Sequence, residues 1–166
     1  MAELGPVFAG KVFHTGIFDF KELYKFLYEW LKDYQYFIIE KKYSEKIKSD
    51  GKEIEMEWMN LRKISDYFRF RIRMITRVTK MVSVEVQEEG VKTTKDKGEI
   101  EIKFETYLEK DYENRWEENA VFKFLRGMYD KYIIKSRIEF YEDKLKDETD
   151  EYINQIKAFL VLAGKY

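Results

Sequence analysis

The chain has 166 residues, enough for about one domain, and 38% of them are charged. Its 31 basic and 32 acidic residues leave a net charge of −1, which argues against a general nucleic-acid binder and against a polybasic membrane anchor. With 45% hydrophobic and 17% aromatic residues, the chain can bury a real core and is expected to fold.

Residues 1–10 are small and apolar, and we expect a loosely ordered lead-in there, followed by a short strand from Lys11 to Phe18. Asp19, with Glu22 three residues later, is a capping-box arrangement and predicts the start of a helix. Apolar residues then recur at spacings of mostly three and four, which predicts a helix over 20–34. They are Phe20, Leu23, Leu27, Trp30, Leu31 and Tyr34.

The hydrophobic period changes to two after residue 35, which is typical of strands. Asp50-Gly51 is a strong hairpin signal because both positions tolerate positive φ. One strand is predicted over 36–47, with one face made of Phe37, Ile39, Tyr43 and Ile47. Its partner is predicted to place Ile54, Met56 and Trp58 on one face and Glu53, Glu55 and Glu57 on the other.

The alternation resumes over 67–88, which is either one long bent strand or two strands joined near Thr79-Lys80. A polar loop is expected from Glu88 to Gly98, and a last strand follows over 100–108. The helical period returns over 118–163, for which we expect two helices, the second long and ending near Gly164.

Three arginines alternate with apolar residues in the 67–88 segment. One interpretation is a phosphate-binding sheet face with Tyr67 as a stacking surface. The other is an ion-pair ladder, because a hairpin centred on Lys63 would set three glutamates opposite them. The expected pairs are Glu57 with Arg69, Glu55 with Arg71 and Glu53 with Arg73. We favour the ladder and predict no nucleic-acid partner.

The chain offers few reactive side chains. It contains no cysteine, which excludes disulfide scaffolds, thiolate metal sites and thiol catalysis. The single His14 is the only distinctive acid/base candidate, and a lone histidine among apolar neighbours is more often structural. We therefore expect no cofactor and no metal site, and the composition weighs against an enzyme without deciding the matter.

The N-terminus lacks the basic and apolar regions of a secretory signal. The longest apolar run, Ala158 to Ala163, is far shorter than the ~20 residues that span a bilayer. We expect a soluble, cytoplasmic protein with no transmembrane segment. Abundant Lys, Glu and Ile with few Asn and Gln are typical of hyperthermophile proteins, and equally of AT-rich genomes.

These elements predict a single α+β domain over 1–166. It has an antiparallel curved sheet of five to six strands, an N-terminal helix and a long C-terminal helical region. From about Lys11 to Leu162, the order of elements resembles the helix-grip fold of the START/Bet v 1 superfamily. That resemblance implies a cup for lipids or other apolar ligands. The residues expected to line it are Met56, Trp58, Phe68, Phe70, Ile72, Met74 and Phe104 from the sheet, and Ile153, Ile156, Phe159 and Leu160 from the last helix. The alternative is an ordinary filled core.

Three aromatic residues, Tyr24, Phe26 and Tyr28, lie off the main stripe of the first helix. Either this helix is sandwiched between other elements, or these side chains form a contact surface. Likewise, the apolar stripe from Ile138 to Leu160 is either core or a self-association surface. We predict a non-enzymatic interaction or assembly domain that uses exposed aromatic or helical surfaces toward a protein partner or a second copy. The alternative is the apolar-ligand cup.

Overall fold

The computed structural model describes residues 3–110, 120–128 and 135–165. Within those ranges the chain forms five strands and three helices, which confirms the predicted α+β class. The strands are β1 (Glu3–Phe18), β2 (Phe37–Lys48), β3 (Gly51–Lys63), β4 (Phe68–Glu88) and β5 (Val91–Lys110). The helices are α1 (Phe20–Asp33), α2 (Ala120–Met128) and α3 (Lys135–Ala163).

The five strands form one antiparallel sheet in the order β1-β5-β4-β3-β2. Strand β1 begins at Glu3, well before the predicted start at Lys11. Residues 3–10 pair with β5, with Glu3 opposite Lys110, so the segment expected as a lead-in belongs to the sheet. This pairing makes β1 one edge of the sheet, and β2 is the other.

Helix α1 begins as the capping pattern predicts. The Asp19 side chain accepts a hydrogen bond from the backbone N–H of Glu22 at 3.2 Å, which satisfies one of the free amides of the first turn. The backbone N–H of Phe20 donates to Asp96 Oδ2 at 3.0 Å, which ties the start of the helix to β5. At the other end, the N–H of Tyr34 donates to the carbonyl of Trp30 at 3.1 Å.

Strand β4 is a single long strand with a bulge between Thr79 and Val82, which settles the choice left open by the sequence. Lys80 adopts a positive φ of 56° inside this bulge. The segment predicted as a polar loop, Glu88 to Gly98, instead begins with a tight hairpin turn and belongs mostly to β5. Glu89 and Gly90 have φ values of 52° and 78°, as a type I′ turn requires.

The parity prediction for β2 is wrong because a bulge lies between Glu40 and Lys42. Before the bulge, Ile39 lies opposite Met59; after it, Tyr43 lies opposite Met56. An extra residue in one strand moves all following side chains to the other face. Phe37 and Ile39 therefore share one face, whereas Tyr43 and Ile47 share the other, and these four residues do not form one apolar row.

Helices α1 and α3 lie on one face of the sheet, which we call the helix face, and the core fills the space between them. Tyr152 of α3 is fully buried and its hydroxyl donates to the carbonyl of Leu27 at 2.9 Å, which joins the two helices. At Gly10 a Cβ atom would lie 2.6 Å from Ile153 Cδ1, so the glycine makes room for α3 to approach β1. The opposite side of the sheet, the open face, carries most of the charged strand residues.

The C-terminal region follows the prediction where it is described. Helix α3 ends at Ala163, next to Gly164, and α2 precedes it as a separate helix. Residues 118–119 and 129–134, which the predicted helical region includes, lie outside the described residues. None of the helices in the described ranges combines the length and the apolar character needed to cross a bilayer.

Candidate interaction surfaces

The residues predicted to line a ligand cup lie together in the core. All of them belong to one apolar cluster between the sheet and the helices, with Phe159 partly buried and the others buried. Side chains as large as Trp58, Phe70 and Phe104 fill this space, and each is at most 1% exposed. One member, Met56, also lines a pocket of about 310 Å³ together with open-face residues such as Arg73 and Lys103.

The three aromatic residues predicted as contact candidates on α1 have different environments. The Tyr24 ring meets Trp58 edge to face at 5.2 Å, and Phe26 stacks on Phe159 at 4.7 Å. Tyr28 is 40% exposed, and Lys32 Nζ lies 5.5 Å from its ring centroid. Helix α1 thus packs against the sheet through Tyr24 and against α3 through Phe26, and of the three only Tyr28 belongs to the exposed class.

The arginines of β4 form ion pairs, but not in the predicted register. Arg71 lies opposite Leu61, and Arg73 lies opposite Met59, so Glu55 and Glu53 are not their partners. The hairpin turns around Ser65, whose hydroxyl accepts from the backbone N–H groups of Tyr67 and Phe68 at 3.2 and 3.1 Å. The turn lies about three residues later than assumed, which moves every pairing along β3.

The observed partners come from both neighbouring strands. Arg73 contacts Glu57 of β3 at 2.7 Å and Glu105 of β5 at 3.5 Å. Arg69 and Arg71 both contact Glu109, which is only 2% exposed. Because these guanidinium groups are paired with carboxylates, they are poorly placed to bind a phosphate backbone.

The charges of the open face follow a pattern by strand. Outward side chains are lysines on β2, glutamates on β3, arginines on β4 and mainly glutamates on β5, and β1 adds Lys11. Lys48 pairs with Glu53 and Lys42 with Glu55, each at 2.7 Å. Hydrogen bonds from these lysines hold the pKa values of both glutamates below the ordinary value. Opposite charges thus face each other across strand boundaries, which favours this strand order.

A buried polar cluster links α3 to the sheet. Glu148, 8% exposed, accepts from Arg62 Nη1 at 2.8 Å and from the Tyr36 hydroxyl at 3.0 Å. Burial, together with the neighbouring Glu148 carboxylate, raises the pKa of Tyr36 well above its ordinary value. The carboxylate of Glu148 is the hydrogen-bond acceptor for both the guanidinium and the hydroxyl. The cluster is therefore a structural contact that holds α3 against the sheet.

His14 contacts residues of its own strand. Its Nε2 lies 3.3 Å from the carbonyl oxygen of Ile17, which requires that this nitrogen carry the hydrogen. The ring meets Phe18 edge to face at 6.3 Å. Nothing in these contacts arranges the imidazole as a base toward a neighbouring reactive group.

Helix α2 carries a run of exposed apolar side chains. Its one buried residue is Arg126, whereas five apolar side chains point outward. Their exposed fractions are Val121 66%, Phe122 42%, Phe124 66%, Leu125 42% and Met128 44%. The contact surface was predicted on α1 or on the stripe from Ile138 to Leu160, and not on α2. The apolar spacing within 121–128 does not by itself show whether that helix face is buried or exposed.

A shallow aromatic pocket of about 400 Å³ lies between the start of α1 and strand β2. Phe20, Lys21, Tyr24, Glu40 and Tyr43 line it. This pocket could not be predicted from the sequence, because its two halves come from separate elements and the β2 bulge decides which side chains meet there.

No protein-family model matches the chain, and no curated protein or solved structure matches it either.

Proposed function

We propose that this protein is a non-enzymatic interaction domain, and that it assembles with a second copy of itself through the apolar face of α2. The observation that carries this proposal is the outward orientation of that face, with Val121 and Phe124 each 66% exposed. Soluble monomers rarely present large contiguous apolar patches, and such patches usually mark an interaction site.

The energetics of α2 support the same conclusion. The described part of α2 has nine residues, and helices of that length are marginal in water unless they pack against another surface. Burying a Phe, Leu or Met side chain contributes roughly 1.5–3 kcal/mol. An interface that covers several of these side chains therefore has a substantial driving force.

A second copy fits this face because its residues are arranged symmetrically. If two α2 helices cross antiparallel between Phe124 and Leu125, each Phe124 meets the Leu125 of the other copy, and each Val121 meets the Met128. The charged Lys123 lies on the other side of the helix, away from this contact. A two-fold interface requires such a self-complementary surface.

The alternative prediction, a helix-grip cup for an apolar ligand, has less support. Its expected lining residues pack against one another in the core cluster, as an ordinary filled core requires. The resemblance in element order is the remaining argument for it.

Sedimentation velocity over a dilution series tests the proposal. We expect the wild-type chain to change from dimer to monomer on dilution, and Phe124→Glu to remain monomeric at every concentration. Lys123→Glu is the matched control, because it places the same charge on the opposite side of the same helix and should still dimerise. A wild-type chain that stays monomeric up to about 1 mM would contradict self-assembly, as would equal loss of assembly in both variants.

A further inference from the structure

The pocket between α1 and β2 combines aromatic walls with one carboxylate and one ammonium group. Phe20 and Tyr24 are one helical turn apart on α1, and their ring centroids are 6.4 Å apart with the planes tilted by 57°. From β2, Tyr43 adds a third ring, which is 42% exposed. Glu40 and Lys21 complete the lining.

The bulge in β2 creates this arrangement. Glu40 lies opposite Trp58 and Tyr43 opposite Met56, and both of these β3 residues belong to the core on the helix face. In a regular strand, residues 40 and 43 would point to opposite faces. The extra residue, Lys41, brings both side chains to the α1 side, so a local irregularity of the strand assembles the pocket.

The carboxylate is held in place by the protein. Glu40 Oε2 accepts from Trp58 Nε1 at 2.8 Å and from the Tyr24 hydroxyl at 3.0 Å. Both hydrogen bonds go to the same oxygen of a side chain that lines the pocket. The Tyr43 hydroxyl likewise donates to Glu45 at 2.8 Å.

These hydrogen bonds also keep the hydroxyl groups of Tyr24 and Tyr43 protonated. Burial and the bond to a carboxylate raise the pKa of Tyr24 to about 12, and the same two causes raise that of Tyr43 to about 12. Both tyrosines therefore remain neutral donors near pH 7. A hydroxyl that donates to a carboxylate makes its ring richer in electrons, which strengthens attraction of a cation to the ring face.

We propose that this pocket binds a small zwitterion that carries a trimethylammonium group and a nearby anionic group, with phosphocholine as the representative probe. Aromatic faces attract a cation within about 6 Å of the ring centroid, and quaternary ammonium is the cation most suited to such sites. The Glu40 carboxylate supplies the opposite charge. Lys21 would repel a simple cation, but it pairs well with an anion attached to the same ligand.

Calorimetric titration of the full chain tests this inference with three probes. Phosphocholine should bind most tightly, and choline, which lacks the phosphate, should bind more weakly. The neutral isostere 3,3-dimethylbutyl phosphate has the same shape without the positive charge and should bind at least ~10-fold more weakly than phosphocholine. Equal affinity for the charged and the neutral probe would overturn the proposal, as would no saturable binding of phosphocholine at about 10 mM.

Four variants assign the roles. Tyr43→Ala and Glu40→Gln should each weaken phosphocholine binding at least ~10-fold, and Glu40→Gln keeps an oxygen that accepts from Tyr24 and Trp58. Lys21→Ala should make choline and phosphocholine bind equally. Phe37→Ala is the control, because it removes an exposed aromatic side chain of β2 that lies on the open face and does not line the pocket, and it should bind like the wild type. A loss in Phe37→Ala as large as that in Tyr43→Ala would overturn the assignment.

Two further arms identify the source of the ligand. Glycine betaine represents a free zwitterion with a carboxylate, and co-sedimentation with phosphatidylcholine vesicles reports a lipid headgroup. Binding to phosphocholine and betaine without vesicle binding assigns a soluble ligand, whereas vesicle binding that Tyr43→Ala abolishes assigns a headgroup. Vesicle binding that Tyr43→Ala leaves unchanged would show that another surface is responsible and would contradict the headgroup assignment. The inference does not depend on α2, so it stands or fails separately from self-assembly.

Discussion

Arg62 of β3 and Glu148 of α3 join the sheet to the last helix, with Nη1 of the arginine 2.8 Å from Oε1 of the glutamate. The two residues are far apart in sequence, and the Arg62 guanidinium also lies 5.8 Å from the Tyr36 ring centroid. The contact therefore fixes one point of α3 along the sheet, in addition to the apolar packing between them.

Removing one member of this polar cluster should be much worse than replacing all three of its polar groups. We expect Glu148→Ala to lower the free energy of unfolding by about 2–4 kcal/mol, because it leaves Arg62 and the Tyr36 hydroxyl without their acceptor. The triple variant Tyr36→Phe/Arg62→Met/Glu148→Leu should recover most of that loss, because it leaves no buried polar group of the cluster without a partner. Urea unfolding at pH 7 measures both variants, and a triple variant less stable than Glu148→Ala would show that the polar cluster itself is strongly stabilising.

The charge pattern of the open face gives a direct test of the strand register. A double-mutant cycle on Arg73 and Glu57 should give a coupling energy of roughly 0.5–1 kcal/mol, since both side chains are partly exposed. The same cycle on Arg71 and Glu55 should give a value near zero, because the structure does not pair them. Coupling in the second cycle and none in the first would support the register predicted from sequence instead.

The sequence predicted the elements much better than their alignment. Asp19 and the apolar spacing of 20–34 define α1, because local hydrogen bonding and one continuous stripe suffice for a helix. The predicted register of β3 and β4 was wrong because the turn around Ser65 contains neither glycine nor proline, so no residue marks its position in the sequence. In the same way, nothing in the alternation of β2 shows the bulge at Lys41, and that bulge decides which residues form the aromatic pocket.

The sequence also could not show whether an apolar helix face is buried in the core or exposed to a partner. The stripe Val121, Leu125 and Met128 has the spacing of a buried helix face, and such a pattern is the same whether the face covers the core or a second chain. For the same reason, Tyr24 and Phe26 could not be distinguished from Tyr28. Their packing depends on Trp58 and on Phe159, which are distant in the chain.

Alkaline pH should destabilise the protein through its tyrosines. In the unfolded chain a tyrosine loses its proton near pH 10, whereas Tyr24 and Tyr43 retain theirs to about pH 12 in the folded protein. Between these values the unfolded chain binds fewer protons, so the free energy of unfolding falls as the pH rises. Below pH 10 both states are protonated and this dependence disappears.

Urea unfolding between about pH 9 and 11, with tyrosinate absorbance as the second signal, measures this slope. The double variant Tyr24→Phe/Tyr43→Phe should show a flatter slope than the wild type. Its unfolding near pH 7 reports separately what the lost hydrogen bonds to Glu40 and Glu45 contribute. An unchanged slope in the variant would mean that these two hydroxyls are not the protected ones.

The bulge of β4 should make Gly98 intolerant of any side chain. A Cβ atom there would lie 2.7 Å from the carbonyl oxygen of Thr79 and 3.0 Å from Cα of Met81, and both are backbone atoms that cannot move away independently. We expect Gly98→Ala to lower the free energy of unfolding by about 1–3 kcal/mol.

The matched control is Gly127→Ala on α2, where no described heavy atom lies within 4 Å of the added Cβ. Alanine favours a helix interior over glycine by roughly 0.5–1 kcal/mol, so this change should leave stability equal or raise it. Urea unfolding of both variants decides the matter, and a Gly98→Ala chain as stable as Gly127→Ala would mean that β4 does not approach β5 as closely as the bulge requires.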